Sequence, residues 1–350
     1  MKIKFALIGC GAIAHKHMIA LNRIDEAEVV GVYDINDTAV EIFAKKYSIP
    51  AFHGVEEMIE TTNPNVLNIL TPSGCHADNI LDLIKYNKHF VVEKPLALRL
   101  DQIDEILHKC ENKLKIFVVQ QNRFNSPIQQ LKRALDMGRF GKLVLGTVRV
   151  RWCRDQGYYD QKDWRGTWAN DGGVLTNQAS HHIDMLIWMM GEVESVMAKT
   201  ATRLVDIETE DTGVAILKFK NGALGVIEAT TATRPKDLEG SISILGENGS
   251  VEISGFFMNE LKTWDFKESI EADDVIRKEY AKVPNEKAWN HTEYLRDVVH
   301  SIKNNKKGLV DGLEGRKSVE LINAIYESVE TGGKVHLRFS PKKCKLGVIK

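Results

Sequence analysis

The sequence has 350 residues, of which 43% are apolar and 27% are charged. A chain of this length normally folds as about two domains, and this composition is typical of globular proteins and excludes disorder as the main state. The 47 lysine and arginine residues balance 48 aspartate and glutamate residues, which gives a net charge of −1. Because no positive field exists to hold nucleic acid or an anionic membrane, we expect neither partner and look for a local site that binds a small molecule.

The five cysteines are widely separated and form no CxxC pair and no Cys/His pattern with metal-ligand spacing. We therefore predict reduced thiols, no metal site and a cytoplasmic location. No apolar stretch reaches the roughly 18 residues of a membrane-spanning helix. The tail, residues 341–350, carries four lysines, and we predict that it is a solvated basic tail rather than a nucleic-acid-binding arm.

Short apolar runs alternate with helical patterns in the first third of the chain. This alternation predicts βαβ units, a parallel sheet and a doubly wound Rossmann domain, to which we assign residues 1–121. The predicted strands are Lys4–Ile8, Glu28–Tyr33, Val66–Leu70, Phe90–Val92 and Ile116–Val119. The predicted helices are Ala14–Ile24, Thr38–Tyr47, Asp78–Tyr86 and Gln102–Cys110.

Beyond Gln121 the pattern changes, and β-like runs dominate after one predicted helix at Ile128–Met137. Asn221-Gly222 and Glu247-Asn248-Gly249 are typical hairpin turns. We therefore predict that residues 122–350 form an α+β domain with a large, mostly antiparallel open sheet. A helix at Gly315–Val329 and a strand at Lys334–Phe339 close this domain. Its other predicted strands are Leu143–Trp152, Val193–Thr202, Gly213–Phe219, Ala223–Thr230, Ser241–Leu245 and Ser250–Ile253.

The segment Gly9-Cys10-Gly11-Ala12-Ile13-Ala14 joins the first predicted strand to the first helix. It has the G-x-G-x-x-A form of a dinucleotide site, whose glycines permit a tight turn and a close approach of pyrophosphate to the backbone. Asp34 ends the second strand about 20 residues later, where a carboxylate binds ribose hydroxyls and repels a 2′-phosphate. We predict NAD rather than NADP as the cofactor, and an ordinary turn between strand and helix is the alternative.

Two further segments, Thr71-Pro72-Ser73-Gly74-Cys75-His76 and Glu93-Lys94-Pro95, follow predicted strands. Ligands of open α/β sheets bind at such carboxyl ends of strands. A lysine at this position can hydrogen-bond a substrate hydroxyl and stabilise the alkoxide that develops during oxidation. A surface lysine is the alternative for Lys94, and the sequence leaves open whether the bond before Pro95 is cis.

In the segment 171–184, a helix that begins at Asn177 would place Asn177, His181 and Asp184 on one face. His181 is then a candidate general base, because an imidazole titrates near neutral pH. The alternative is a histidine that packs or caps a helix. The neighbouring His181 and His182 would point in different directions, which argues against a zinc site.

These motifs, in this order, resemble the glucose–fructose oxidoreductase/inositol dehydrogenase (Gfo/Idh/MocA) family along nearly the whole chain. The resemblance implies that Lys94 and His181 are catalytic and that nicotinamide stacks between the two domains. Asn177 is the third candidate catalytic residue, and it departs from the aspartate that is usual at its position, which removes a carboxylate near the histidine. The implied cofactor residues are Gly9, Gly11, Ala12, Ile13, Asp34, Thr71, Pro72, His76, Glu93, Lys94 and Gln121.

A narrower resemblance involves Tyr158-Tyr159-Asp160, Trp164-Arg165-Gly166-Thr167-Trp168, residues 177–181 and residues 238–246. These segments look like the UDP-N-acetylglucosaminuronate 3-dehydrogenases (WlbA/WbpB type) of surface-polysaccharide and lipopolysaccharide pathways. The resemblance implies that NAD oxidises the C3 hydroxyl of the sugar to a ketone. The implied substrate residues are Lys94, Arg154, Tyr159, Trp164, Arg165, Asn177, Gln178 and His181.

The chemistry of the substrate residues is compatible with this resemblance. A uronate carboxylate suits a forked cation, for which Arg154 and Arg165 are both candidates, and tryptophan and tyrosine faces suit a sugar ring. A contact between subunits is the alternative role for this aromatic and arginine-rich loop. Family members commonly assemble through the open face of the second sheet, so the resemblance also implies a homotetramer.

Two rival functions stay open at this point. One is an NAD-dependent dehydrogenase of the same family that acts on a free polyol or sugar, such as an inositol. The other is a catalytically silent NAD-sensing protein, and the presence of both Lys94 and His181 argues against it.

Overall fold

The computed structural model describes residues 2–337, except residues 112, 285 and 287. The predicted basic tail and Cys344 lie outside the described residues, and the four cysteines within them are free thiols. Within this part of the chain, no helix is long and apolar enough to cross a membrane.

The first sheet contains six parallel strands of the described chain, in the order β3-β2-β1-β4-β5-β6. Helices cover both faces, so strand residues such as Phe5, Leu7 and Val91 are fully buried. This strand order is typical of dinucleotide-binding sheets and confirms the predicted Rossmann fold. The strands are β1 (Ile3–Ile8), β2 (Ala27–Tyr33), β3 (Ala51–Phe52), β4 (Val66–Ile69), β5 (His89–Val92) and β6 (Ile116–Val118).

The helices of the first sheet follow its strands along the chain. Asn36 begins the second of them by accepting a hydrogen bond from the Ala39 amide at 3.1 Å. The sequence did not predict β3 or the third helix, because segments of two and eight residues are too short to establish a clear period. The helices are α1 (Ala12–Leu21), α2 (Asp37–Tyr47), α3 (Val55–Thr62), α4 (His76–Leu83) and α5 (Leu100–Cys110).

The second sheet contains eight strands of the described residues, in the order β13-β12-β11-β7-β10-β9-β8-β14. All its neighbouring strands are antiparallel except β7 and β10, which confirms the predicted mostly antiparallel sheet. Both predicted hairpins join neighbouring antiparallel strands. The strands are β7 (Leu143–Arg151), β8 (Val193–Ala201), β9 (Thr212–Phe219), β10 (Leu224–Thr230), β11 (Glu239–Gly246), β12 (Gly249–Ser254), β13 (Glu260–Phe266) and β14 (Val335–His336).

One face of the second sheet is covered by helices and the other is open. Almost every residue of the eighth helix is buried against the covered face. On the open face Met197, Val214, Ile216 and Leu224 are between 46% and 57% exposed. The helices of this half are α6 (Ser126–Asp136), α7 (Gln156–Tyr159), α8 (Ser180–Met190), α9 (Glu271–Tyr280), α10 (Trp289–Lys303) and α11 (Gly312–Thr331).

Packing crosses the boundary predicted at residue 121. Helix α10 lies late in the chain and was not predicted, but it packs against α1. Its residues Tyr294, Leu295, Val298 and Val299 are buried in the same apolar cluster as strand β1. The division into residues 1–121 and 122–350 therefore stays a prediction, and the two halves share a core.

Candidate active site

The turn between β1 and α1 has the geometry of a phosphate-binding loop. Gly9 has a φ of +109°, and a Cβ atom there would lie 2.7 Å from the Leu70 carbonyl oxygen, so the turn requires glycine. Gly11 precedes α1 without a side-chain cap, and a Cβ atom there would meet nothing within 4 Å. Gly11 and Ala12 are exposed and Ile13 is half-buried, so the start of α1 is open to an anion that would bind its first amide groups.

Asp34 follows β2 and lies directly beside the glycine turn. Its carboxylate accepts hydrogen bonds from the Cys10 amide at 2.7 Å and from the Asn36 amide at 3.0 Å. Burial and the charge of Asp34 raise the pKa of the Cys10 thiol to about 12, so this cysteine is not a reactive thiolate at neutral pH.

His76 connects two of the predicted site loops. Its Nδ1 lies 2.7 Å from the Pro95 carbonyl oxygen and its Nε2 lies 2.9 Å from the Thr71 carbonyl oxygen. The side chain is 1% exposed, and both ring nitrogens already have partners. His76 therefore holds the Thr71-Pro72 loop against the loop after β5, and its role in cofactor binding stays a prediction.

Lys94 follows β5, and the structure brings it to Asn177, which lies in the other half of the chain. The Lys94 Nζ donates to the Asn177 backbone oxygen at 2.6 Å and lies 3.4 Å from the Asn177 Oδ1. Burial lowers the pKa of Lys94, whereas the charges of Glu93 and Asp171 raise it. The peptide bond between Lys94 and Pro95, whose isomer the sequence left open, is cis.

His181 is held between two glutamines at the end of β6. Its Nδ1 lies 2.8 Å from the Gln120 Oε1, and its Nε2 lies 3.1 Å from the Gln121 Nε2. Because an amide oxygen only accepts hydrogen bonds, Nδ1 carries the hydrogen and Nε2 presents a lone pair. Burial, and next the charge of Lys94, lower the pKa of His181 well below 6.5. The imidazole is therefore a neutral base at neutral pH.

The predicted helical start at Asn177 is wrong, because α8 begins at Ser180. The physical reason is that the Asn177 backbone oxygen accepts from the Lys94 Nζ and the Ser180 Oγ rather than from the amide four residues later. Just before it, the Glu210 backbone oxygen accepts from the Val174 amide and its Oε1 from the Leu175 amide, both at 3.0 Å. These contacts hold the preceding residues in a loop. Asn177 therefore does not share a helix face with His181, and it reaches Lys94 from that loop.

Asp184 anchors α8 instead of joining the site. It receives two hydrogen bonds from the Arg123 guanidinium, at 2.7 and 2.8 Å, and both side chains are almost fully buried. The Arg123 Nη1 also donates to Glu314 at 3.2 Å. This network fixes the helix that carries His181 to the turn that carries its two glutamine partners.

Glu93 belongs to a buried network behind Lys94. It accepts from His17 at 3.0 Å and from the Lys94 amide at 3.1 Å. Burial alone would raise the pKa of Glu93, but the hydrogen bond and charge of His17 outweigh it and bring the pKa to about 2. His17, Glu93 and His291 form the one group of potential metal ligands in the described part of the chain. The hydrogen bond between His17 and Glu93 accounts for the short distance between these two side chains without a metal ion. The expectation that the protein has no metal site stays a prediction.

The two candidate carboxylate-binding arginines differ in their partners. Arg154 pairs with Asp237 at 3.0 Å. The Arg165 Nη1 donates to the Tyr158 carbonyl oxygen at 2.6 Å and its guanidinium lies over the Tyr158 ring, 4.1 Å from the centroid. Its Nε is buried without a hydrogen-bond partner, and among the described residues Arg165 has no carboxylate in an ion pair.

The other predicted substrate residues surround this loop. Tyr159 is 5% exposed and its hydroxyl lies 3.1 Å from the Thr231 Oγ1, and its contact with substrate stays a prediction. Trp164 is half-buried, and its ring lies 5.8 Å from the Arg165 guanidinium. Gln178 is buried, with an Oε1 that has no hydrogen-bond partner.

Both parts of the chain match models of one known protein family. The model of an oxidoreductase family's NAD-binding Rossmann fold (Gfo/Idh/MocA) matches residues 3–121, and the model of that family's C-terminal alpha/beta domain matches residues 132–337. The chain belongs to the Gfo/Idh/MocA oxidoreductase family. The resemblance inferred from the sequence motifs is therefore confirmed, as is the expectation of an NAD-binding enzyme.

Several solved and curated Gfo/Idh/MocA relatives are similar along most of their length. The WlbA dehydrogenase from Bordetella pertussis, in complex with NADH and UDP-GlcNAcA, is 38% identical over 97% of this chain and 99% of its own, with a TM-score of 0.91. The corresponding complex from Chromobacterium violaceum is 39% identical over 97% of both chains, also with a TM-score of 0.91. Myo-inositol 2-dehydrogenase from Thermotoga maritima is 26% identical over 96% of this chain and 98% of its own.

The residues of this Gfo/Idh/MocA oxidoreductase fit the NAD cofactor. The open amide groups of the glycine turn suit its pyrophosphate, and the neighbouring Asp34 carboxylate suits its ribose hydroxyls. The site lies where the strand order of the first sheet reverses, between β1 and β4. When bound, NAD supplies the hydride acceptor for the oxidation of an alcohol.

Asp34 provides a test of this cofactor site. Replacing Asp34 with asparagine is expected to lower the preference for NAD over NADP, measured as the ratio of the kcat/KM values, by about tenfold or more. Asparagine keeps an oxygen for the Cys10 amide but removes the charge that repels a 2′-phosphate. The matched control is Asp37→Asn. Asp37 lies in the first turn of α2, where its exposed side chain pairs with His53. An unchanged ratio in Asp34→Asn would contradict the assignment.

Gln120, Asp171 and Arg123 were not identified as site residues from the sequence. Gln120 contacts His181 and Arg123 contacts Asp184, in each case 61 residues along the chain. Asp171 contacts Asn177, six residues away, from a loop that the sequence did not predict. The available signal was that each of these residues lies close in sequence to a predicted motif, and this proximity does not predict what the residue does.

Proposed function

We propose that this protein is an NAD-dependent dehydrogenase that oxidises the C3 hydroxyl of UDP-N-acetylglucosaminuronate to a ketone. The observation that carries the proposal is the meeting of Lys94, Asn177 and His181 beside the NAD-binding sheet. Similarity to two WlbA dehydrogenases with bound NADH and UDP-GlcNAcA supports the choice of substrate.

The roles of the two catalytic residues follow from their protonation. Lys94 donates a hydrogen bond to the oxygen of the reacting hydroxyl and stabilises the negative charge that develops there. His181 accepts the hydroxyl proton at Nε2, the nitrogen that the Gln120 contact leaves unprotonated. The Gln121 amide occupies this lone pair in the free protein, and the substrate hydroxyl takes its place.

Arg165 is the better candidate for the uronate carboxylate. Its buried Nε lacks a partner, so a carboxylate at this position would satisfy it and form a charge-assisted hydrogen bond. Arg154 is already neutralised by Asp237. The positive charges of Arg165 and Lys94 both lower the pKa of Asp171, so the two cations lie near the same carboxylate.

The wider setting follows from the same proposal. We place the enzyme in the cytoplasm, in the synthesis of surface-polysaccharide or lipopolysaccharide sugars, where its nucleotide-linked substrate is made. The exposed apolar side chains on the open face of the second sheet favour a homotetramer. No metal or nucleic acid takes part.

The test is the formation of NADH from NAD and UDP-N-acetylglucosaminuronate, with protein and substrate at similar concentrations so that a single turnover is visible. We expect a product that has lost two hydrogen atoms, identified by mass spectrometry. We also expect UDP alone to raise the melting temperature, because a ligand that binds the folded state stabilises it.

The rival functions predict other outcomes. Turnover of inositol or free glucose, without turnover of the nucleotide sugar and without stabilisation by UDP, would replace the proposal with a free-sugar dehydrogenase. Binding of NAD without turnover of either substrate class would favour the NAD-sensing protein.

A further inference from the structure

A buried carboxylate lies behind the pair formed by Lys94 and Asn177. Asp171 is 2% exposed. Its Oδ2 accepts from the Gly166 amide at 2.9 Å, and its Oδ1 accepts from the Asn177 Nδ2. Isolating a carboxylate from water is costly unless its charge is compensated. The positive charge that most stabilises the ionised Asp171 is that of Lys94, ahead of that of Arg165.

The hydrogen bond from Asn177 to Asp171 fixes the direction of the Asn177 amide. Because a carboxylate only accepts, the nitrogen of this amide faces Asp171 and its oxygen faces away. That oxygen lies 3.4 Å from the Lys94 Nζ. The Asn177 amide therefore connects the two charged groups, with its positive end toward the carboxylate and its negative end toward the ammonium group.

We propose that Asp171 is a positioning residue of the reaction, which acts through the Asn177 amide to orient Lys94 and to hold it in its charged form. This inference rests on the proposed function, in which Lys94 donates to the reacting hydroxyl. Asn177 lacks the carboxylate expected at its position, and Asp171 supplies that charge from the loop before it.

The surrounding charges are consistent with this role. Burial is the main cause that lowers the pKa of Lys94, and the charge of Lys16 lowers it further. The charges of Glu93 and Asp171 raise this pKa. Around Asp171 lie Arg165, Tyr159 and Glu210 in addition to Lys94. Glu93 is already engaged with His17 and the Lys94 amide. Removing the charge of Asp171 therefore lowers the pKa of Lys94 and makes its ammonium form less stable.

The alternative is that Asp171 only fastens the loop through the Gly166 amide. A relocation of the charge separates the two roles. We compare Asp171→Asn with the double variant Asp171→Asn/Asn177→Asp, which places a carboxylate at residue 177, against the Lys94 ammonium group. A structural role for Asp171 would not be restored by this exchange, whereas an electrostatic role would.

In Asp171→Asn we expect kcat to fall about tenfold or more with little change in the KM for NAD, and the basic limb of the kcat profile to move to lower pH. The sign follows because the charge of Asp171 raises the pKa of Lys94, so Lys94 loses its proton at lower pH without it. In the double variant we expect most of kcat and the position of the limb to return.

The matched control is Asp211→Asn. Asp211 is another buried carboxylate of the same half, and it accepts hydrogen bonds from the Arg203 and Leu204 amides at 2.9 and 2.8 Å. Its loss should lower the melting temperature without moving the pH profile. A double variant no more active than Asp171→Asn, or an unmoved basic limb in Asp171→Asn, would overturn the proposal.

A second measurement keeps this test separate from the test of function. Trace labelling with an amine-reactive reagent, read at the Lys94 peptide by mass spectrometry across a pH series, reports the titration of Lys94 without substrate. We expect the midpoint to fall in Asp171→Asn and to recover in the double variant. If wild-type protein fails to oxidise the nucleotide sugar, the proposed function is wrong, but this titration still decides whether Asp171 supports the charge of Lys94.

Discussion

Replacement of Lys94 with methionine is expected to reduce kcat by roughly 10²- to 10³-fold, the usual cost of losing a donor that stabilises a developing oxyanion. Methionine retains much of the length and apolar character of the lysine side chain, so the expected loss arises from the missing charge rather than from a cavity. Because the glycine turn and Asp34 lie at another part of the sheet edge, the affinity for NAD should change little. The measurement is NADH formation at saturating NAD and nucleotide sugar, with NAD binding followed separately by calorimetry.

The matched control for this variant is Lys85→Met. The Lys85 side chain is 63% exposed on the surface of the first half, and its loss should leave kcat and NAD affinity unchanged. If Lys94→Met retained kcat within a few-fold, the hydroxyl would be polarised by another group. If it lost NAD affinity as well, Lys94 would act chiefly in cofactor binding, the other role that the family resemblance implied for it.

The sequence was sufficient for those parts of the fold and site that depend on local pattern. The apolar runs identified most of the long strands within a few residues, although β13 was not predicted. The glycine turn and the residues after β4 and β5 fell at the predicted sheet edge. Both hairpin turns were identified because asparagine and glycine adopt the required backbone angles at low cost. In each case the deciding residues are neighbours in the chain.

The parts that were missed depend on contacts between distant residues. The loop before α8 is held by Glu210, which lies more than thirty residues later in the chain. The tautomer of His181 is set by Gln120, and the helix that carries His181 is anchored by Arg123. Hydrophobic periodicity does not contain such pairings, since each polar partner is an ordinary residue until the fold brings it into place.

Glu210 illustrates how a buried polar group redirects the chain. Burial raises its pKa to about 7, while its contacts with the Leu175 amide and the Tyr326 hydroxyl oppose that shift. The amide groups of Val174 and Leu175, which precede the predicted helical start at Asn177, are both bonded to Glu210. Asn177 contacts Lys94 from the resulting loop, through a backbone oxygen that a helix starting at Asn177 would have used internally.

Replacement of His181 with asparagine is expected to reduce kcat by about 10²- to 10⁴-fold, the range associated with loss of a general base. Asparagine preserves a polar side chain near Gln120 but accepts no proton at neutral pH. The expected result also has a pH signature. The wild-type acid limb should lie below pH 6.5, because burial and the charge of Lys94 lower the pKa of His181, and the base is active only when deprotonated.

The control is His182→Asn, the same change at the next position of α8. Burial lowers the pKa of His182 to about 4, and neither of its ring nitrogens has a hydrogen-bond partner in the described structure. Its side chain lies near Trp152 and Gly240 instead of Lys94. This variant should therefore perturb the helix without removing the base. Turnover in His181→Asn that stayed close to wild type, with the acid limb in place, would assign proton acceptance to another group. A loss of similar size in both variants would instead identify helix packing as the cause, so the rate and the acid limb together distinguish a base from a structural histidine.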